Sequence, residues 1–128
     1  MLDEPAHYLR YQGRSFCWIA VDEASQYPDP QWIDRLRSNL RGAQGVPLRF
    51  SLAANPGEVG HAWVSARYVF ADNAPWKPYE EKSSGRTFVS CPSTYLDNIH
   101  MDPDAYQRQL EASAASDPEL GRAWLEGD

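Results

Sequence analysis

The chain has 128 residues and a mass of 14.5 kDa, a length suited to one domain or part of one. A hydrophobic content of 42% with five Trp, seven Tyr and four Phe excludes a disordered chain. The net charge of -6 argues against a dedicated nucleic-acid-binding module, which carries a basic excess, though not against a chain whose DNA contacts lie elsewhere.

The opening Met1-Leu2-Asp3-Glu4-Pro5 lacks the basic and apolar regions of a signal peptide. No run approaches the ~18 apolar residues of a membrane span, so no membrane partner is expected. The first strand candidate is Phe16-Cys17-Trp18-Ile19-Ala20-Val21, a continuous apolar run of the kind covered on both faces in a parallel sheet. Asp29-Pro30 then caps a helix in which Ile33, Leu36 and Leu40 share a face, with Gly42 as its C-terminal stop. Leu48-Arg49-Phe50-Ser51-Leu52-Ala53 is the second strand, and residues about 61–70 form a further helix. Residues 71–85 are rich in Pro and charge and read as a surface loop, and Arg86-Thr87-Phe88-Val89-Ser90-Cys91 is the third strand. Asp102-Pro103 and Asp117-Pro118 start two more helices, lined by Tyr106, Leu110 and Ala114 and by Leu120 and Trp124. Ser116 and Glu119 would form a capping box for the last. Strands alternating with helices indicate an α/β fold with a mainly parallel sheet, followed from about residue 93 by a small helical segment.

The first strand ends in two acids, Asp22-Glu23. Ligands of open α/β sheets bind at the carboxyl ends of the strands, so these acids mark a candidate site. An apolar strand followed by Asp is the Walker B arrangement, in which the Asp helps hold Mg²⁺ on a nucleoside triphosphate. A Glu directly after it orients and polarises the attacking water. A solvated acidic turn explains the same residues equally well. The second strand leads into Ala54-Asn55-Pro56-Gly57, where the Asn55 amide suits a γ-phosphate oxygen or the lytic water; a plain turn is the alternative.

Taken in order, Tyr11-Gln12-Gly13, Trp18-Ile19-Ala20-Val21-Asp22-Glu23-Ala24 and Ala54-Asn55-Pro56-Gly57 resemble the large terminase subunit of tailed bacteriophages. So do Gly60-His61-Ala62-Trp63-Val64, Thr94-Tyr95-Leu96-Asp97-Asn98, Tyr106 and the closing Trp124-Leu125-Glu126-Gly127-Asp128. That family packages double-stranded DNA into procapsids with an ATP-driven motor. The resemblance implies that Asp22 serves Mg²⁺ and nucleotide, that Glu23 is catalytic, and that Asn55 also touches nucleotide. Ala54, Asn55 and Pro56 would then be the coupling motif. It further implies ATP and Mg²⁺ as cofactors and, as partners, double-stranded DNA, the portal protein, the small terminase subunit and further copies of the same chain. The setting would be the cytoplasm of the bacterial host, at the procapsid. Ile99 departs from the proline expected after Asp97-Asn98.

One element of such an ATPase is missing from the sequence. No G-x-x-x-x-G-K-[ST] occurs, and the only lysines, Lys77 and Lys82, do not follow a glycine. The chain therefore reads as the C-terminal part of a P-loop NTPase-type sheet over residues 1–92, with a helical linker toward a nuclease over 93–128. Two rivals stand beside it. Val21-Asp22-Glu23-Ala24 also resembles motif II of a helicase-like ATPase, and the chain is also readable as a non-catalytic module docking on motor or portal subunits.

The remaining candidates read as structural. His61 and His100 lack partners at metal-ligand spacing, and Asp97, Asp102 and Asp104 suit helix capping better than a calcium loop. Arg35, Arg37 and Arg41 form a solvated face, with a phosphate, DNA or arginine-finger role as the alternative. Trp63, Trp76 and Trp124 are core anchors, and Cys17 and Cys91 are buried free thiols of a cytosolic protein.

Overall fold

A computed structural model describes residues 5–69 and 74–126. The fold is mixed α/β, and the chain divides into two compact units. The first holds residues up to Ala54 together with Glu58–Trp63; the second holds Asn55–Gly57 and the chain from Val64 onward.

The first unit is built on two parallel strands, β1 (Trp18–Val21) and β2 (Arg49–Leu52), in the register Trp18↔Arg49, Ile19↔Phe50, Ala20↔Ser51 and Val21↔Leu52. Two helices accompany them, α1 (Pro5–Leu9) and α2 (Gln31–Arg37). Side chains alternate across a strand, so Ile19, Val21, Phe50 and Leu52 share one face. The two β1 residues on that face are buried in a core with Ala24 and with Ile33 and Leu36 of α2. Burying a side chain such as Ile33, which is 0% exposed, contributes about 1.5–3 kcal/mol. The opposite face of β1 is open: Trp18 is 62% exposed and Ala20 is exposed. Among the described residues the expected two-sided cover is therefore absent from β1, because α2 packs on one face of this two-stranded sheet.

The start of α2 follows the sequence reading, with Asp29 Oδ1 accepting from the Gln31 amide at 2.8 Å. Its end comes sooner, at Arg37 with Ser38 as the C-cap, so Gly42 does not terminate it. Leu40 instead bridges to Phe16, an extension of the sheet that competes with the helix for the same residues. Asn39, 2% exposed, fastens this corner by donating from Nδ2 to the Tyr11 carbonyl at 2.7 Å, while its own carbonyl accepts from Phe16 N.

Helix α3 (His61–Val64) continues as one π-helical turn over Ser65–Val69, and the division between units falls after Trp63. Of the helix expected to residue 70, Phe70 lies outside the described residues, as do 71–73 of the expected loop. The third strand is corrected in its pairing. In the second unit β4 (Thr87–Phe88) pairs antiparallel with β3 (Tyr79–Glu80), inside the stretch read as a loop. These two strands make a separate hairpin and do not extend the parallel sheet. Phe88 explains the pairing, since its ring packs at a 53° tilt against Tyr79 at 5.3 Å and meets Tyr68 edge-on at 5.1 Å.

The expected helices follow as α4 (Pro103–Ser113) and α5 (Pro118–Glu126). Asp102 Oδ1 accepts from the amides of Asp104 and Ala105, and Asp117 Oδ1 from that of Leu120. The cap of α5 is thus Asp117, not Ser116. The two helices close on each other at Ala114 and Gly121, where a Cβ on Gly121 would lie 2.9 Å from that of Ala114.

Candidate functional site

The site begins with the parallel register. The amide of Ala53 donates to the Val21 carbonyl at 2.9 Å, and the amide of Ala24 donates back to the Ala53 carbonyl at 2.7 Å. Asp22 and Glu23 are therefore held as a two-residue step between two strand-end hydrogen bonds. Both side chains are exposed. Asp22 Oδ1 accepts from the Glu23 amide at 3.0 Å, which fixes the direction of the first carboxylate.

Glu23 has left-handed backbone, at φ 52° and ψ 44°. A non-glycine residue there costs roughly 1–2 kcal/mol, so the surrounding contacts must impose it. They do so from the next turn. Residues Ala24–Gln26 form a 3₁₀ turn in which Gln26 N donates to Glu23 O at 3.0 Å, and Ala24 and Ser25 are buried. The segment Glu58–Trp63 grips that turn: Ser25 Oγ donates to Glu58 Oε2, Gly60 N donates to Ser25 O at 2.7 Å, and Trp63 Nε1 donates to Tyr27 O at 2.7 Å. Gly60 is required by this approach, because a Cβ would collide with the Tyr27 carbonyl and sit 2.7 Å from Ser25 O.

The proposed coupling motif is divided. Ala54 ends the first unit's continuous stretch, while Asn55 and Pro56 belong to the second unit. There Gly57, at φ +80°, faces α5, and a Cβ on it would lie 3.2 Å from Leu120 Cδ1 and 3.4 Å from Ala123 Cβ.

A cavity of about 360 Å³ runs beside β1, lined by Tyr11, Phe16, Trp18, Val21 and Tyr27 and reaching Asp22. Its walls are aromatic and apolar, and Glu23 is not among them, so it is not a phosphate cradle. Among the described residues, no group of three or more His, Cys, Asp or Glu side chains comes together to hold a metal. Asp22 stands at the strand end as a single exposed carboxylate.

The other candidates take their places in the fold. Arg35 stacks on Trp32 at 4.7 Å, Arg37 on Phe50 at 4.2 Å, and Arg41 donates to the Arg14 carbonyl at 3.3 Å. Asp97 Oδ2 accepts from the Thr94 amide at 2.7 Å, so Asp97 and Asp102 act in capping. Trp63 packs against the core as expected, but Trp76 is 64% exposed and Trp124 is also exposed. Both cysteines are exposed, correcting their reading as buried thiols. Cys17 precedes the covered part of β1, and Cys91 follows the two-residue β4. Glu58 and Gly60 are the residues of the site that the sequence reading missed as structural partners. Among the described residues, no helix is long and apolar enough to cross a membrane. No protein-family model matches the chain, and no curated protein or solved structure shows significant similarity to it.

Proposed function

We propose that this chain is the acid-bearing part of an ATP-hydrolysing domain of a terminase large subunit, which drives double-stranded DNA into a procapsid. The single observation that carries the reading is the strained Glu23 beside Asp22 at the carboxyl end of a parallel strand. Strain of this kind persists where surrounding contacts over-determine it, and it concentrates at functional sites. The ordered likeness of the motifs to that family supplies the rest.

In this reading Asp22 would hold hydrated Mg²⁺, and the ion would supply charge neutralisation on the triphosphate. Glu23 orients the attacking water and draws on its proton through the side-chain carboxylate. Asn55 reads the phosphate state, the role that the family resemblance of Ala54-Asn55-Pro56 implies. No G-x-x-x-x-G-K-[ST] occurs in this chain, so this reading needs a Gly-rich loop and lysine supplied from elsewhere. The P-loop NTPase fold, the linker from residue 93, the portal and small-subunit partners, the homo-oligomeric motor and the host cytoplasm all belong to the same proposal.

The test uses the full-length packaging ATPase. Asp22→Asn is expected to weaken Mg²⁺-dependent nucleotide binding together with turnover. Asn55→Ala is expected to keep part of the hydrolysis while losing more of the DNA packaging. Unchanged metal-dependent binding in Asp22→Asn overturns the assignment of that carboxylate.

A further inference from the structure

The buried hydroxyl of Ser25 is unused by the chemistry proposed above, and so is the carboxylate that receives its hydrogen bond. Ser25 is 0% exposed and donates to Glu58 Oε2 across 33 residues of chain. The same turn is held by the Gly60 amide on the Ser25 carbonyl and by the Trp63 indole on the Tyr27 carbonyl. These three bonds converge on the turn whose first residue is preceded by the left-handed Glu23.

We propose that Glu58 is a positioning residue for Glu23: its carboxylate holds Ser25, and so holds the 3₁₀ turn that imposes the left-handed backbone on the catalytic carboxylate. The inference rests on Glu23 being that carboxylate. Three physical points support it. A hydrogen bond to a charged acceptor is stronger than a neutral one, and partial burial strengthens it further. A backbone in left-handed geometry relaxes toward the β or right-handed region unless it is held, so a loosened turn lets the Glu23 side chain move off line. A small displacement of a catalytic group is enough to slow the chemistry without touching nucleotide affinity. Glu58 also lies two residues after Pro56, the last residue of the expected coupling motif.

The first experiment needs only the 128-residue chain. Glu58→Ala, Ser25→Ala and the double variant are compared by hydrogen exchange, with Glu81→Ala, which removes the acceptor of the exposed Ser84 hydroxyl, as a control. Loss of one charge-assisted bond is expected to raise exchange of the Gln26, Tyr27 and Gly60 amides by roughly tenfold or more, equally in single and double variants. The Ala114 amide of α4 stays as it was. Unchanged exchange at the turn overturns the latch, whatever the fate of the ATPase reading.

The second experiment uses the full-length ATPase. Glu58→Ala is expected to lower kcat about tenfold with KM for ATP within twofold, and Glu58→Asp to recover part of the loss. Raised exchange with unaltered kcat in Glu58→Ala, while Glu23→Gln still stops turnover, overturns the positioning role and spares the ATPase reading. Parental turnover in Glu23→Gln overturns both.

Discussion

The amide of Ala24 donates to the carbonyl oxygen of Ala53 at 2.7 Å, closing the step that begins where Ala53 N meets Val21 O. This pair of bonds fixes where the first strand stops. Everything between them, Asp22 and Glu23, is turned out of the sheet with no freedom to slide in register, because Ile19 and Val21 must stay on the buried face.

The backbone of Glu23 leads to a stability expectation. Asn tolerates left-handed geometry far better than Glu. Glu23→Asn is therefore expected to unfold at the same or a slightly higher temperature, a gain of up to about 1 kcal/mol. Calorimetry on the isolated chain measures this. A clear loss of stability would mean that the Glu23 side chain itself holds the turn.

Gly60 leads to the opposite expectation. Its missing Cβ is the space into which the Tyr27 and Ser25 carbonyls and the Trp63 indole are packed. Gly60→Ala has to push backbone apart, and a cost of about 1–3 kcal/mol is expected. Urea unfolding followed by tryptophan fluorescence reads it, and a loss under ~0.5 kcal/mol would contradict the tight approach.

Much of this architecture is legible in the sequence. Three Asp-Pro pairs mark three helix starts, and each Asp accepts the amide hydrogen bonds its position foretells. The parallel pairing of the two main strands and the exposed acids at the end of β1 follow from the same reading. The hairpin does not. Tyr79–Glu80 and Thr87–Phe88 are two-residue strands, too short for any periodicity, and Phe88 selects them through ring contacts. The one-sided cover of β1 was hidden too, since apolar Trp18 and Ala20 look like core residues until the second face proves open. Glu58 and Gly60 work through partners some 33 to 35 positions away, and no local pattern carries that information.

The open face and edge of β1 carry a further expectation. Among the described residues β1 pairs with β2 alone, apart from the Phe16–Leu40 bridge, and Trp18 stands exposed on the open face, its indole donating to Ser51 Oγ of β2 at 3.2 Å. Exposed apolar edges recruit other chains, and lysine blunts them. The isolated chain is expected to self-associate as its concentration rises, and Trp18→Lys to shift it toward monomer. Light scattering that shows the parent chain as a clean monomer at high concentration would contradict this.

Hydrolysis by the Glu23→Gln variant of the full-length ATPase tests the proposed chemistry most directly. The substitution keeps the shape of the side chain and removes the charge that polarises water. A positioned carboxylate contributes about a hundredfold to ten-thousandfold in rate, so turnover and DNA packaging should fall by that order while ATP binding persists. Hydrolysis at the parental rate would contradict the assignment of Glu23 and leave Asp22-Glu23 as a solvated turn.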